Sequence, residues 1–176
     1  MMNSDLLKGL NEHLKLEFRA AHEYLAMSIW LSAHDLPGFS RWMRQQSSDE
    51  LTHAQRIIEH LLERDQQPVL PAIPAPPKTW KSLEALCAHV LRNEQEVTAS
   101  INELYATAEN AKDRPATVML QWFVTEQMEE EAGARAVLGR IRLVGNTGVG
   151  LLMVDQELAG GKVPGARAEP PAGGQA

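Results

Sequence analysis

Four segments of the chain carry a carboxylate where helical periodicity calls for an apolar side chain. Glu17 interrupts the first, Glu50 with His53 the second, Glu94 the third, and Gln127 with Glu130 the fourth. Each lies near the middle of its segment. Mid-helix positions in a bundle of similar-length helices share one level, so the four carboxylates are expected to converge there. Burying several carboxylates without compensation costs many kcal/mol. They can share protons at raised pKa, or pair with buried cations, but no Lys or Arg occupies these positions. Two divalent metals would balance four carboxylates. Glu50 and His53, at i and i+3, present an oxygen and a nitrogen on one helical face. Glu50 is placed to bridge two metals, since His53 can serve only one. Carboxylates with one imidazole suit iron or manganese, with zinc possible, and no thiolate joins them. Such polar residues can alternatively set bundle register without binding anything.

The elements that position these groups read as four long amphipathic helices. Their seams run Leu10, Leu14, Glu17, Ala21, Tyr24, Ser28, Leu31; then Phe39, Met43, Gln46, Glu50, His53, Ile57 and His60 or Leu61. The third runs Leu83, Cys87, Val90, Glu94, Val97, Ile101, Leu104, Ala108, and the fourth Leu120, Phe123, Gln127, Glu130, Ala134, Val137, Ile141, Val144. The 4-3-4-3 spacing holds each set on one face. Ser4, Ser82 and Asp113 are expected caps of the first, third and fourth helices, with Pro115 in the first turn of the last. Pro37-Gly38 is expected to break the first helix from the second, leaving them antiparallel neighbours. Prolines 68, 71, 74, 76 and 77 forbid helix in the next stretch. About fifteen extended residues at roughly 3 Å each span a helix length, so the second and third helices should run parallel. The fold class is therefore all-α: a four-helix bundle with a long crossover, plus a short apolar fifth helix from about Thr147 to Ala159. Val149, Leu151, Leu152 and Met153 suggest that this last helix packs against something, a neighbouring subunit included. Residues 1–159 read as one domain and 160–176, rich in Gly, Pro and Ala, as a disordered tail.

The chain has 176 residues, 44% hydrophobic, with formal net charge −6. An acidic chain lacks the basic footprint that nucleic acid requires. No stretch approaches the roughly twenty apolar residues of a membrane span, and the N-terminus lacks a signal-peptide run. The single cysteine, Cys87, reads as a buried apolar residue and fits a reducing cytoplasmic setting.

Several neighbours could assist the metals. Tyr24, two turns from Glu17, could hydrogen-bond a ligand or donate an electron, or simply pack as a core aromatic. Trp122 reads as core packing. Asp49, Glu126 and Glu129 form a second acidic patch, or a solvated face. His13, His22, His34, His60 and His89 show no ligand spacing and read mostly as surface or helix-end residues.

Leu120–Glu131 (LQWFVTEQMEEE) and Glu50–Arg56 (ELTHAQR), with Glu17, Tyr24 and Glu94 at matching intervals, resemble the bacterial non-haem ferritins over about Leu6 to Leu158. The resemblance implies a ferroxidase centre that oxidises Fe(II) with dioxygen or hydrogen peroxide and a cage of twenty-four subunits that stores ferric mineral. One iron would sit on Glu17, Glu50 and His53. The other would use Glu50, Glu94 and Glu130, with Gln127 as a hydrogen-bonding or weak ligand. A third would use Glu126, Glu129 and Glu130. The family usually has Glu where Asp49 stands, one methylene shorter here. The fifth helix would gather at the four-fold axes. Bacterioferritins are similar, but carry Glu-x-x-His where this chain has Gln127-x-x-Glu130. They also bind haem through a Met following the second-helix Glu, where this chain has Leu51 and Thr52, so no haem is expected. Other readings of the same pattern are a haem-containing electron-transfer bacterioferritin, a DNA-protecting mini-ferritin, a di-iron oxygenase and a metal-free structural bundle. The mini-ferritin reading is opposed by a tail with only Lys162 and Arg167 as cations.

Overall fold

A computed structural model describes residues 2–145 and 147–161. These residues form five helices: α1 (Ser4–Ser32), α2 (Pro37–Leu62), α3 (Leu83–Asn110), α4 (Arg114–Val144) and α5 (Gly148–Ala159). The expected tail lies outside the described residues beyond Gly161.

Side-chain contacts fix the directions. Ser40 Oγ donates to Ser28 O and Ser47 Oγ to Ala21 O, so α1 and α2 run antiparallel. His13 meets Ser100 and Arg19 meets Glu96, so α1 and α3 are antiparallel too. Hence α2 and α3 are parallel, as the crossover requires. Gln46 reaches Glu130 and Arg64 reaches Asp113, which sets α4 antiparallel to α2. The crossover has no helix, and is tied to α1 where Asn11 Oδ1 accepts from Val69 N at 2.7 Å.

The helix ends differ in part from expectation. Asn3, not Ser4, caps α1, its Oδ1 accepting from the backbone N–H groups of Asp5 and Leu6. Its extended backbone aims the amide oxygen at the free N–H groups of the first turn. Ser82 and Asp113 cap α3 and α4 as expected. Pro37 and Gly38 do not form the break. They open α2, where Pro37 has no first-turn N–H to leave unsatisfied. The break is made by Asp35 in the left-handed region, which lets Leu36 N–H return to Leu31 O. Asp65 and Lys112 close α2 and α3 in the same way, with bonds from Gln66 to Leu61 and from Asp113 to Ala108.

The core is divided. One apolar cluster gathers Leu6, Leu10 and Leu14 with Ile57, Leu61, Val97, Ile101, Leu120 and Phe123. The other gathers Tyr24, Met27 and Leu31 with Phe39, Met43, Leu86, Val90, Val137 and Ile141. Every long helix passes from one cluster to the other, and on each the changeover falls at the polar positions of the seam. α5 packs on α2 and α4 through Val154 and Leu158, while Val149, Leu152 and Met153 remain exposed. Asp155 Oδ1 accepts from Phe39 N–H at 2.9 Å, so α5 also serves the N-terminus of α2.

Candidate metal centre

Between the two apolar clusters lies a polar belt. Glu17, Glu50, His53, Glu94 and Gln127 are all buried there, and no Lys or Arg is among the buried residues described. Glu17, Glu50 and His53 each offer a ligand atom within 4.8 Å of the others. His53 Nδ1 lies 2.9 Å from Glu50 Oε2 and 3.7 Å from Glu17 Oε2. The i, i+3 spacing on α2 places imidazole and carboxylate side by side, and antiparallel α1 brings Glu17 to their level.

The rest of the belt is held by hydrogen bonds. Tyr24 OH donates to Glu94 Oε1, and Gln127 Nε2 lies 3.2 Å from Glu94 Oε2. Gln46 Nε2 donates to Glu130 Oε2 at 2.9 Å. Trp122, half-buried, sets its ring edge-on to His53 at 5.5 Å and carries the Arg56 guanidinium 3.9 Å above it. It is therefore packing, and it walls the imidazole.

The carboxyls and the imidazole of this buried layer act on one another's charge. Burial, reinforced by the Glu17 charge, pushes the Glu50 carboxyl well above its ordinary range. Burial also raises Glu94, against the hydrogen bonds from Tyr24 and Gln127. It takes Glu130 up to about 7. Burial opposes ionisation of Glu17 as well, but His13 and His53 outweigh it and hold that carboxyl low. For His53 burial is likewise overcome, here by Glu17 and Glu50, which bring the imidazole up to about 11. Burial and the Glu94 charge raise the Tyr24 phenol well above its ordinary value. Two oxygens in the belt, Glu17 Oε2 and Gln127 Oε1, are buried with no hydrogen-bond donor. Buried acceptors without donors are rare in folded proteins and invite a cation. Oxygens with one imidazole form a donor set that suits iron, manganese or zinc.

The second acidic patch is less tightly drawn together. Asp49, half-buried on α2, accepts from Gln45 Nε2 at 2.9 Å, and burial raises its carboxyl. Its charge is felt by Glu130. Glu126 and Glu129 are half-buried on α4, and neither joins the Glu17, Glu50, His53 group.

One histidine corrects the sequence reading: His13 is fully buried and lies within α1. His60, 8% exposed, lies in the last turn of α2, a helix-end residue as expected. His13 Nε2 lies 2.7 Å from Glu17 Oε1, and the i, i+4 spacing of the pair was the signal that marks it. His22 and His34 are exposed as expected, and half-buried His89 pairs with Glu23 at 3.1 Å.

Residues 7–144 match the family model described as a ferritin-like domain. A bacterial non-heme ferritin of Escherichia coli O157:H7 is 33% identical over 159 residues, covering 90% of this chain and 96% of that protein. One from Campylobacter jejuni is 36% identical over 156 residues, covering 89% and 93%. Among solved structures, a ferritin of Archaeoglobus fulgidus described as open-pore aligns with TM-score 0.88 and 36% identity. It covers 90% of this chain and 98% of that one. With a shared all-helical fold and relatives matched along nearly their whole length, the chain belongs to the ferritin family.

Proposed function

We propose that the polar belt is the ferroxidase centre of this iron-storage protein. One Fe(II) is held by Glu17, Glu50 and His53. A second is held by Glu50, Glu94 and Glu130, with Gln127 turning its amide oxygen to the metal or hydrogen-bonding a ligand. The observation that supports this most is a buried layer of carboxylates that holds two donor-less oxygens, on Glu17 and Gln127, and, among the described residues, no buried lysine or arginine. Divalent cations take the place of protons on such carboxylates when they bind. Two Fe(II) then supply one electron each. With dioxygen as oxidant, two protons are taken up and hydrogen peroxide leaves; with hydrogen peroxide, two protons are taken up and two waters form. Oxygen ligands favour the harder Fe(III), which provides the driving bias. Tyr24 steadies Glu94 through its hydroxyl and is a side chain able to give a further electron.

Asp49, Glu126, Glu129 and Glu130 would form a third iron position on the α2–α4 side. The storage vessel would be a homo-oligomeric cage of twenty-four subunits working in the cytoplasm. No helix among the described residues is long and apolar enough to cross a membrane, which agrees with that setting. The exposed apolar face of α5 would be covered by its symmetry mates.

An anaerobic Fe(II) titration of metal-free protein, followed by air, tests the reading. The expected outcome is rapid ferric absorbance saturating near two irons per subunit in wild type, and its loss in a Glu50→Ala, Glu130→Ala variant. Equal slow oxidation in both proteins would remove the belt as the oxidising site.

A further inference from the structure

His13 lies on the buried face of α1, one turn before Glu17, and neither residue is exposed to solvent at all. Its ring spans two partners. Nε2 is 2.7 Å from Glu17 Oε1, and Nδ1 is 2.8 Å from Ser100 Oγ on α3. A carboxylate oxygen facing a ring nitrogen at that distance accepts, so Nε2 carries the proton. Phe123 meets the ring edge-on at 6.2 Å. A ring bonded at both nitrogens and flanked by an aromatic has one orientation available to it.

The consequence falls on Glu17. One of its oxygens is occupied by His13, and the other, Oε2, is the oxygen with no donor. That free oxygen is the one nearer His53. Resting on the assignment of Glu17 to the metal centre, we propose that His13 is a positioning residue that fixes Glu17 as a one-oxygen ligand, with Ser100 anchoring the ring from α3. Outer partners that orient a ligand are worth about ten- to a hundred-fold in metal affinity. Without His13, Glu17 regains rotation about its terminal bonds and can offer both oxygens to one metal.

Co(II), an oxygen-stable probe whose visible absorption weakens as coordination number rises, reports this directly. The set is wild type, His13→Leu, His13→Gln, Ser100→Ala and, as reference, Glu50→Ala, each checked for folding by circular dichroism. His13→Leu fills the site without a donor. His13→Gln restores an N–H toward Glu17. The expected result is roughly ten- to a hundred-fold weaker Co(II) binding in His13→Leu, with a less intense visible band. His13→Gln should recover both, and Ser100→Ala should show a smaller loss of the same kind. If His13→Leu folds and binds Co(II) with wild-type affinity and spectrum while Glu50→Ala does not bind, His13 does not position the ligand and the metal centre stands. If His13→Leu fails to fold, a wild-type affinity and spectrum in Ser100→Ala would equally reject the anchored-ring account. If Glu50→Ala itself binds like wild type, the assignment of the belt as the metal centre fails, and the role of His13 falls with it.

Discussion

Gly38 sits in the first turn of α2 under the backbone of α5. A Cβ added there would lie 1.8 Å from Asp155 O and 2.7 Å from its carbonyl carbon. Both obstacles are main chain, so no side-chain rotation can relieve Gly38→Ala. Helix propensity acts the other way, favouring Ala over Gly by at most about 1 kcal/mol. The cost has a ceiling set by complete release of α5. Val154 and Leu158 are worth about 1.5–3 kcal/mol each when fully buried, and the Asp155–Phe39 bond about 1.5–3 kcal/mol. A helix that shifts and partly repacks loses less, in the range of about 1–3 kcal/mol seen for overpacking. We therefore expect α5 to open about 2–3 kcal/mol more easily, or roughly 30- to 140-fold faster amide exchange at 1.4 kcal/mol per decade. Hydrogen exchange read by mass spectrometry on peptides from α5 and from the start of α2 measures it. Gly38 is twelve residues from Glu50, about 18 Å along the helix, so Fe(II) oxidation per subunit should stay at the wild-type rate. Wild-type protection of α5 and of the Phe39 amide in Gly38→Ala would refute the reasoning.

Two further substitutions and probes follow from the geometry. Asn3→Ala removes the side chain that caps α1 and should cost about 1 kcal/mol, seen as faster exchange in the first turn of α1 alone. Cys87 is fully buried, and burial, aided by the Glu84 charge, pushes its thiol up to about 12. It should resist a thiol-reactive disulfide reagent at pH 8 in folded protein and react fully in denaturant.

The belt was legible because long helices report their faces faithfully. A carboxylate at a seam position is visible as an exception to a period, and four exceptions at one level point to one another. The crossover was legible for a related reason, since five prolines allow few structures. What escaped was local. Asn3 and Ser4 are both capping residues, and only the backbone angles decide which oxygen meets the free N–H groups. Asp35, Asp65 and Lys112 take left-handed conformations that their side chains do not demand; the helix ends impose them. His13 shows no ligand-type spacing toward a metal. Its partner is itself a ligand, one turn away, and its other contact, Ser100, is brought close only by the packing of α3 on α1. His60 also lies on the buried side, yet its position beside Leu61 in the seam left the choice between them to packing; the helix buries both.

Metal is expected to enter the belt between the two apolar clusters. Crystals exposed to Fe(II) under anaerobic conditions, measured on both sides of the iron absorption edge, test it most directly. Two anomalous peaks per subunit are expected, about 3.5–4 Å apart as in other two-metal centres. One should be bounded by Glu17, Glu50 and His53, the other by Glu50, Glu94 and Glu130. Iron bound elsewhere in the subunit, with the belt free of anomalous signal, would contradict it.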